Sequence, residues 1–549
     1  MSSLSLTLRG AAREAADAQV PGLLDHEFAS RLAAKDHTLW GTAAEEESAK
    51  RLGWVSPFAA SQPLVEKISG LRAELAAEGV DRVVLAGMGG SSLAPEVICA
   101  TAGAPLVVLD STDPQQVGAA LTELDRTVLV VASKSGSTVE TDSQRRIVFE
   151  AFEKAGIDPH ERTVIVTDPG SPLAESAQKY GARAIFEADP TVGGRYSALT
   201  AFGLVPSGLA GVDIQNLLDD AESAHEILTE DDAANPGLQL GAALGGTSPL
   251  RDKLVITDAG SPLIGLGAWI EQLVAESTGK EGTGVLPVIV ADGEPELTRD
   301  AEDVLVVEIV DPDAEDGSSV DGDPAETVVS PHVVRTGGSL GAQFLLWEFA
   351  TAVAGSLLGI NPFDQPDVES AKAAARGLLE APAPESGTAI ADGAVEIRVS
   401  GDESLLSSGQ ASVPEALQAL LTRLPDNGYL AVMAYLDRLG ESQLEDIRPQ
   451  LAAVSGRPVT FGWGPRFLHS TGQLHKGGPA TGVFLQITAE AAEDIQVPDR
   501  PFSLSQLISA QAHGDAQVLA GHGRPVLQLH LKDRQAGLQQ VLDAVAALS

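Results

Sequence analysis

Short, unbroken apolar runs alternate with amphipathic stretches over most of the chain. Residues 83–86, 106–109, 128–131 and 164–166 form one series, with helical spacing between them. A second series follows at 253–257, 285–290 and 304–309, and a third at 429–434, 459–462, 482–488 and 526–531. Continuous apolar strands separated by helices predict parallel sheets covered on both faces. The fold class is therefore α/β, with two doubly wound parallel-sheet lobes and a C-terminal α/β region. Ahead of them, residues 9–50 place Leu23, Leu24, Phe28 and Leu32 at helical spacing. The expected organisation is a helical segment at 1–50, lobes at 51–225 and 226–380, a Pro/Gly-rich linker at 381–392 and a C-terminal domain at 393–549. The acidic, Gly-rich stretch 311–327 reads as a surface loop.

Length supports this division, since 549 residues exceed what one core usually sustains. The net charge of −41 removes two function classes. Such a surface repels nucleic acid and anionic membrane, so neither is an expected partner. One cysteine, Cys99, permits no internal disulfide and no Cys-based zinc site. The most apolar stretch, 345–360, contains Glu348 and is short for a bilayer, and the first residues lack a basic flank. A cytoplasmic enzyme without metal is the expectation.

In so acidic a chain, basic and hydroxyl residues in Gly-rich loops point to an anion site. Gly87-Met88-Gly89-Gly90-Ser91-Ser92 follows the first strand and precedes a helix, where backbone N–H groups face a ligand. Ser92 stands where a dinucleotide fingerprint needs its third glycine, so no nucleotide cofactor is expected. Ser133-Lys134-Ser135-Gly136-Ser137-Thr138 follows another strand and offers four hydroxyls and an ammonium, a phosphate cradle. Alone, the glycine loop reads equally as a plain turn; two such loops at adjacent strand ends favour a site of Gly90, Ser91, Ser133, Lys134, Ser135 and Thr138.

These loops resemble those of sugar isomerase (SIS) domains, and three further segments sharpen the likeness to phosphoglucose isomerases. Gly193-Gly194-Arg195-Tyr196-Ser197 resembles the family's Gly-Gly-Arg-aromatic-Ser signature. Glu276-Ser277-Thr278-Gly279-Lys280 resembles its Glu-Ser-Asn-Gly-Lys segment, and residues 361–372 resemble its Phe-Asp-Gln-x-Gly-Val-Glu-x-x-Lys signature. The five motifs occur in family order. The whole chain looks most like the isomerase part of bacterial transaldolase–phosphoglucose isomerase fusion proteins. The resemblance implies SIS-type lobes and cofactor-free interconversion of glucose 6-phosphate and fructose 6-phosphate, with Glu276 as proton shuttle, Arg195 as enediolate stabiliser and Lys372 assisting ring opening.

Two departures stand out. Asp367 replaces a family glycine, and residues 338–355, where the family carries its ring-opening histidine, contain none. His332 lies nearby in a Ser-Pro-His turn. The better candidates are His475 and then His469, because Gln473-Leu474-His475-Lys476-Gly477 resembles the family's Gln-Leu-Ile-His-Gln-Gly. The substrate expected is a hexose 6-phosphate, with a homo-oligomer and association with a separate transaldolase both allowed. The rival readings are a sugar-phosphate-binding regulator or scaffold, which needs the cradle but no proton shuttle, and an isomerase of mannose or amino-sugar phosphates.

Overall fold

A computed structural model describes residues 4–312, 328–380, 389–406 and 412–548. Strand β1 (Ser5–Leu8) opens the chain. The first lobe contains β2 (Arg82–Gly87), β3 (Val107–Leu109), β4 (Thr127–Ala132), β5 (Thr163–Thr167) and β6 (Ala184–Glu187), in a wholly parallel sheet ordered β3-β2-β4-β5-β6. Every residue of β4 is buried, which is why its sequence is apolar without alternation.

The second lobe contains β7 (Lys253–Ala259), β8 (Leu286–Val290), β9 (Val304–Val310) and β10 (Val333–Gly337). Its sheet runs β1-β10-β9-β7-β8, with β1 antiparallel at the edge. The N-terminal segment is thus not helical throughout: its first strand completes the second lobe's sheet, and the indole of Trp40 donates to Ala352 O. The 225/226 division falls inside the helix Ile214–Leu228. His332 has a structural place here, accepting a hydrogen bond from Ala11 N at the start of the first helix.

Helix Leu340–Leu358 has the length and composition of a membrane span, but 89% of its apolar window is buried inside the protein. It packs on helices Pro236–Gly245 and Ile214–Leu228 as the core of the second lobe.

The third domain contains β11 (Ile390–Asp392), β12 (Val395–Ser400), β13 (Tyr429–Tyr435), β14 (Val459–Trp463), β15 (Gly482–Ala489) and β16 (Val526–Leu531), ordered β11-β12-β16-β15-β13-β14. Residues 390–392, read as linker, are therefore a strand; the rest of that linker up to 388, and the acidic loop beyond 312, lie outside the described residues. This domain is not tethered loosely. Tyr429, Phe484 and Leu519 share one apolar cluster with Val255, Val288 and Val306 of the second lobe. Leu504 and Leu507 share another with Val131 and Ile147 of the first.

Candidate active site

In the first sheet the chain leaves β2 for β3 on one side and returns to β4 on the other. A crevice opens where strand order reverses, at the carboxyl ends of those strands. Gly87 and Ala132 are paired in register there, so the glycine loop and the Ser/Thr loop emerge side by side. They form one wall of a cavity of about 570 Å³, closed by the Gly193–Arg195 turn, the helices Leu266–Thr278 and Val368–Glu380, and the third domain.

The Ser/Thr loop is internally braced. Ser133 Oγ lies 3.0 Å from Thr138 Oγ1 and accepts from Gly136 N, while Ser135 and Ser137 hydroxyls meet at 2.9 Å. Gly136 turns the loop at φ +67°, where a side chain would be strained. The loop delivers the chain into helix Val139–Lys154, whose first-turn N–H groups have no intrahelical partners and face an anion favourably. Lys134 is held to Asp168 at 2.7 Å. Ser91 lines the same cavity. Gly90 does so as well, and a Cβ there would collide with the backbone of Gly194. Its glycine therefore serves close approach of two loops.

Glu276 stands near the end of its helix with both carboxylate oxygens engaged. Oε1 lies 3.0 Å from Arg195 NH1, and Oε2 accepts from Gln272 Nε2 at 3.1 Å. Arg195 is buried, and each of its five N–H groups has a use: Nε donates to Ser277 Oγ, NH1 to Gln365 Oε1 and Glu276, and NH2 to the carbonyls of Pro362 and Asp364. It thus arrives with no donor to spare, which alters the simple picture of a free oxyanion clamp. The donor on the exposed Gln365 side chain is the exchangeable one. Lys280 fastens the same 361–364 turn through Asn361 O and Asp364; burial pulls its ammonium down to about 8.

The two histidines separate. His469 lines the cavity, its Nε2 3.0 Å from Glu140 Oε1 and its carbonyl accepting from Gln272. His475 does not reach the cavity. It is buried against Tyr429 and Phe484, shares a 3.0 Å hydrogen bond with the Tyr429 hydroxyl, and is held far below the usual imidazole range by burial and by Lys476 and Arg524. The preference for His475 is corrected accordingly: an imidazole enclosed by aromatic rings cannot touch a sugar. Lys372 belongs to helix Val368–Glu380, which edges the cavity, but its side chain lies outside the described residues. Asp367, the departure from the family glycine, forms a reciprocal pair with Gln473: its N–H donates to Oε1 and its carboxylate accepts from Nε2.

Sequence reasoning missed Glu140, Gln272, Gln365, Lys476 and Gln511. The first three sit inside or one turn from motifs already recognised, so their spacing was available. Lys476, paired with Asp515 at 2.5 Å, lies inside the Gln473–Gly477 motif, whereas Gln511, which donates to Glu140 at 2.7 Å, comes from the third domain without a local signal.

The model of the phosphoglucose isomerase family matches residues 61–281. A probable glucose-6-phosphate isomerase of Haloarcula marismortui is 32% identical over 370 residues, covering 59% of this chain and 84% of the relative. One from Natronomonas pharaonis is 32% identical over 355 residues, covering 57% and 82%. Among solved structures, a hypothetical protein of Thermus thermophilus superposes with TM-score 0.57 at 25% identity, covering 69% of this chain and all of that one. A glucose-6-phosphate isomerase of Chlamydia trachomatis shares the fold at TM-score 0.51 and 19% identity, covering 64% and 78%.

Proposed function

The chain belongs to the phosphoglucose isomerase family and interconverts glucose 6-phosphate and fructose 6-phosphate; from that premise we propose how its residues divide the work. Aldose–ketose exchange needs an open sugar ring, a proton moved between C2 and C1, and a stabilised enediolate. Glu276 removes the C2 proton and returns it to C1. A carboxylate suits this because one group serves as base and then as acid. Arg195 holds that carboxylate in place through its NH1 contact. As negative charge develops on the enediolate oxygen, the NH1 donor now on Gln365 passes to it.

His469 protonates the ring oxygen, with Glu140 orienting the imidazole from its other side. Lys372 assists from the neighbouring helix, a role that rests on the family resemblance. The phosphate seats on Ser133, Lys134, Ser135 and Thr138, with Gly90 and Ser91 beside them. Its binding energy positions the distant reacting carbons.

The observation that carries this reading is the carboxylate of Glu276, held at both oxygens on the wall facing a hydroxyl-rich loop. A regulator would need the loop but not the held base. The test is a coupled assay of the full chain with glucose 6-phosphate and fructose 6-phosphate, before and after EDTA, with mannose 6-phosphate and glucosamine 6-phosphate as competitors. Turnover of the first pair, undiminished by chelation, is expected. Turnover of the amino sugar alone would refute the substrate assignment, and metal-restored activity would refute the cofactor-free mechanism. A cytoplasmic location belongs to the same reading, since a charged phosphate ester does not cross a bilayer unaided. Homo-oligomerisation and association with a separate transaldolase are checked by sedimentation and by pull-down with and without residues 390–549.

A further inference from the structure

The third sheet has a switch point of its own. From β13 the chain passes to β14 on one side and then to β15 on the other. The carboxyl ends of β13 and β15 therefore part to leave a crevice, as those of β2 and β4 do in the first lobe. Tyr435 and Thr488, a register pair, close the strands at that point. A cavity of about 310 Å³ opens there, at the size where small-molecule sites begin. It is separate from the main cavity and plays no part in the chemistry assigned above.

The walls are polar and mostly self-satisfied. Thr488 Oγ1 and His530 Nδ1 share a hydrogen bond of 2.9 Å. The acids are largely committed: Asp113 to Arg534 at 2.9 Å, and Glu396 to Arg398 at 3.0 Å and Lys532 at 3.3 Å. Glu490 stands exposed at the mouth. Among the lining residues, Arg398, Tyr435 and Ser505 each carry a buried polar atom without a hydrogen-bond partner among the described residues. In Arg398 that atom is Nε. A guanidinium that lines a cavity of hydroxyls and imidazoles, with only its NH2 taken by Glu396, suits a charged oxygen on a hydroxylated body.

We propose that this cavity binds a second small molecule, a hydroxylated metabolite bearing one anionic group (a carboxylate or a phosphate monoester), anchored on Arg398 with hydroxyls toward Thr488, His530 and Ser509. Helix Leu504–Gly521 is the wall between the two cavities. Ser509 and His513 face this one, while Leu507 and Gln511 face the other. Gln511 holds Glu140, and Asp515 holds Lys476. An occupant that shifts this helix therefore changes the Glu140–His469 pair. This coupling, unlike the binding itself, rests on reading the main cavity as catalytic.

The test is calorimetric titration of the full chain with gluconate and with glycerol 3-phosphate, which separate the carboxylate and phosphate sources. At least one should bind the parent and Lys134→Ala alike, and at least about tenfold more weakly to Arg398→Gln and to Thr488→Val, whose thermal midpoints report folding. Failure of both probes to bind the parent overturns the site. So does binding lost in Lys134→Ala but kept in Arg398→Gln, which would place the probe in the main cavity. The binding probe should also change the parent's isomerisation kcat/KM and leave that of Arg398→Gln unmoved. Binding with an unmoved rate overturns the coupling while the site stands.

Discussion

His469 Nε2 and Glu140 Oε1 meet at 3.0 Å across 329 residues of sequence. That contact joins the third domain to the first turn of helix Val139–Lys154, behind the Ser133–Thr138 loop. Gln511, also from the third domain, donates to the same carboxylate oxygen at 2.7 Å. The cavity is therefore complete only with the third domain docked, and the ring-opening step proposed above draws on that junction.

Exchanging the two histidines for alanine should give different failures. His469→Ala is expected to lower kcat on the cyclic sugars by about a hundredfold or more, as loss of an acid–base group does, and to spare proton exchange on an open-chain analogue. His475→Ala should instead lower unfolding stability by roughly 2–4 kcal/mol, through an emptied aromatic niche and an orphaned Tyr429 hydroxyl. Denaturant unfolding alongside steady-state rates separates the two. A stable, inactive His475→Ala would reverse the assignment.

Glu276→Gln keeps the hydrogen bonds to Arg195 and Gln272 in reach but cannot carry a proton. Its kcat should fall by about 10²–10⁴-fold with KM within a few-fold of the parent. The check is isotope exchange at C2 together with turnover; near-normal exchange would locate the base elsewhere.

Lys134→Ala and Ser135→Ala act on binding rather than chemistry. Charge-assisted phosphate contacts are worth about 1.5–3 kcal/mol, so KM for the phosphorylated sugars should rise by roughly ten- to a hundredfold with kcat little changed. Inhibition by 6-phosphogluconate should weaken in parallel. Undiminished inhibition in both variants would show that the phosphate lies elsewhere.

Glu271 supplies a pH dependence of stability. Burial raises its carboxyl to about 7 against the ordinary 4.5, opposed by Arg466 and by its hydrogen bond with Ser470, the neighbour of His469. The folded pKa lies above the unfolded one, so the folded state binds more protons between those values. Stability is lost as pH rises through that window and stays lower above it. Glu271→Gln should match the parent near pH 4.5 and exceed it above pH 7, by roughly 1–3 kcal/mol after allowing for the group's partial exposure. Parallel thermal midpoints across the range would show that the carboxyl titrates normally.

Much of this protein is legible from local pattern. A strand buried on both faces must be apolar throughout, so runs such as 128–131 announced the parallel sheets. A loop at a strand end that turns sharply needs glycine, so the Gly87–Ser92 and Ser133–Thr138 segments stood out in the sequence, and both line the main cavity. The edge strands escaped: β1 and β11 are short, and their pairing depends on partners hundreds of residues away or across a turn.

Local pattern placed His469 and His475 in one Gly-rich basic segment and put His475 first, but which of them lines the cavity depends on what packs against each. His475 lies on the short helix Gly472–Gly477 and turns toward Tyr429 and Phe484, which come from two adjacent strands of the third sheet. His469 lies six residues earlier, at the end of the 3-10 turn Arg466–His469, where its carbonyl accepts from Gln272 of helix Leu266–Thr278 and its ring meets Glu140. Burial of one imidazole and presentation of the other follow from contacts between residues far apart in the chain, and only the packed domains bring those together.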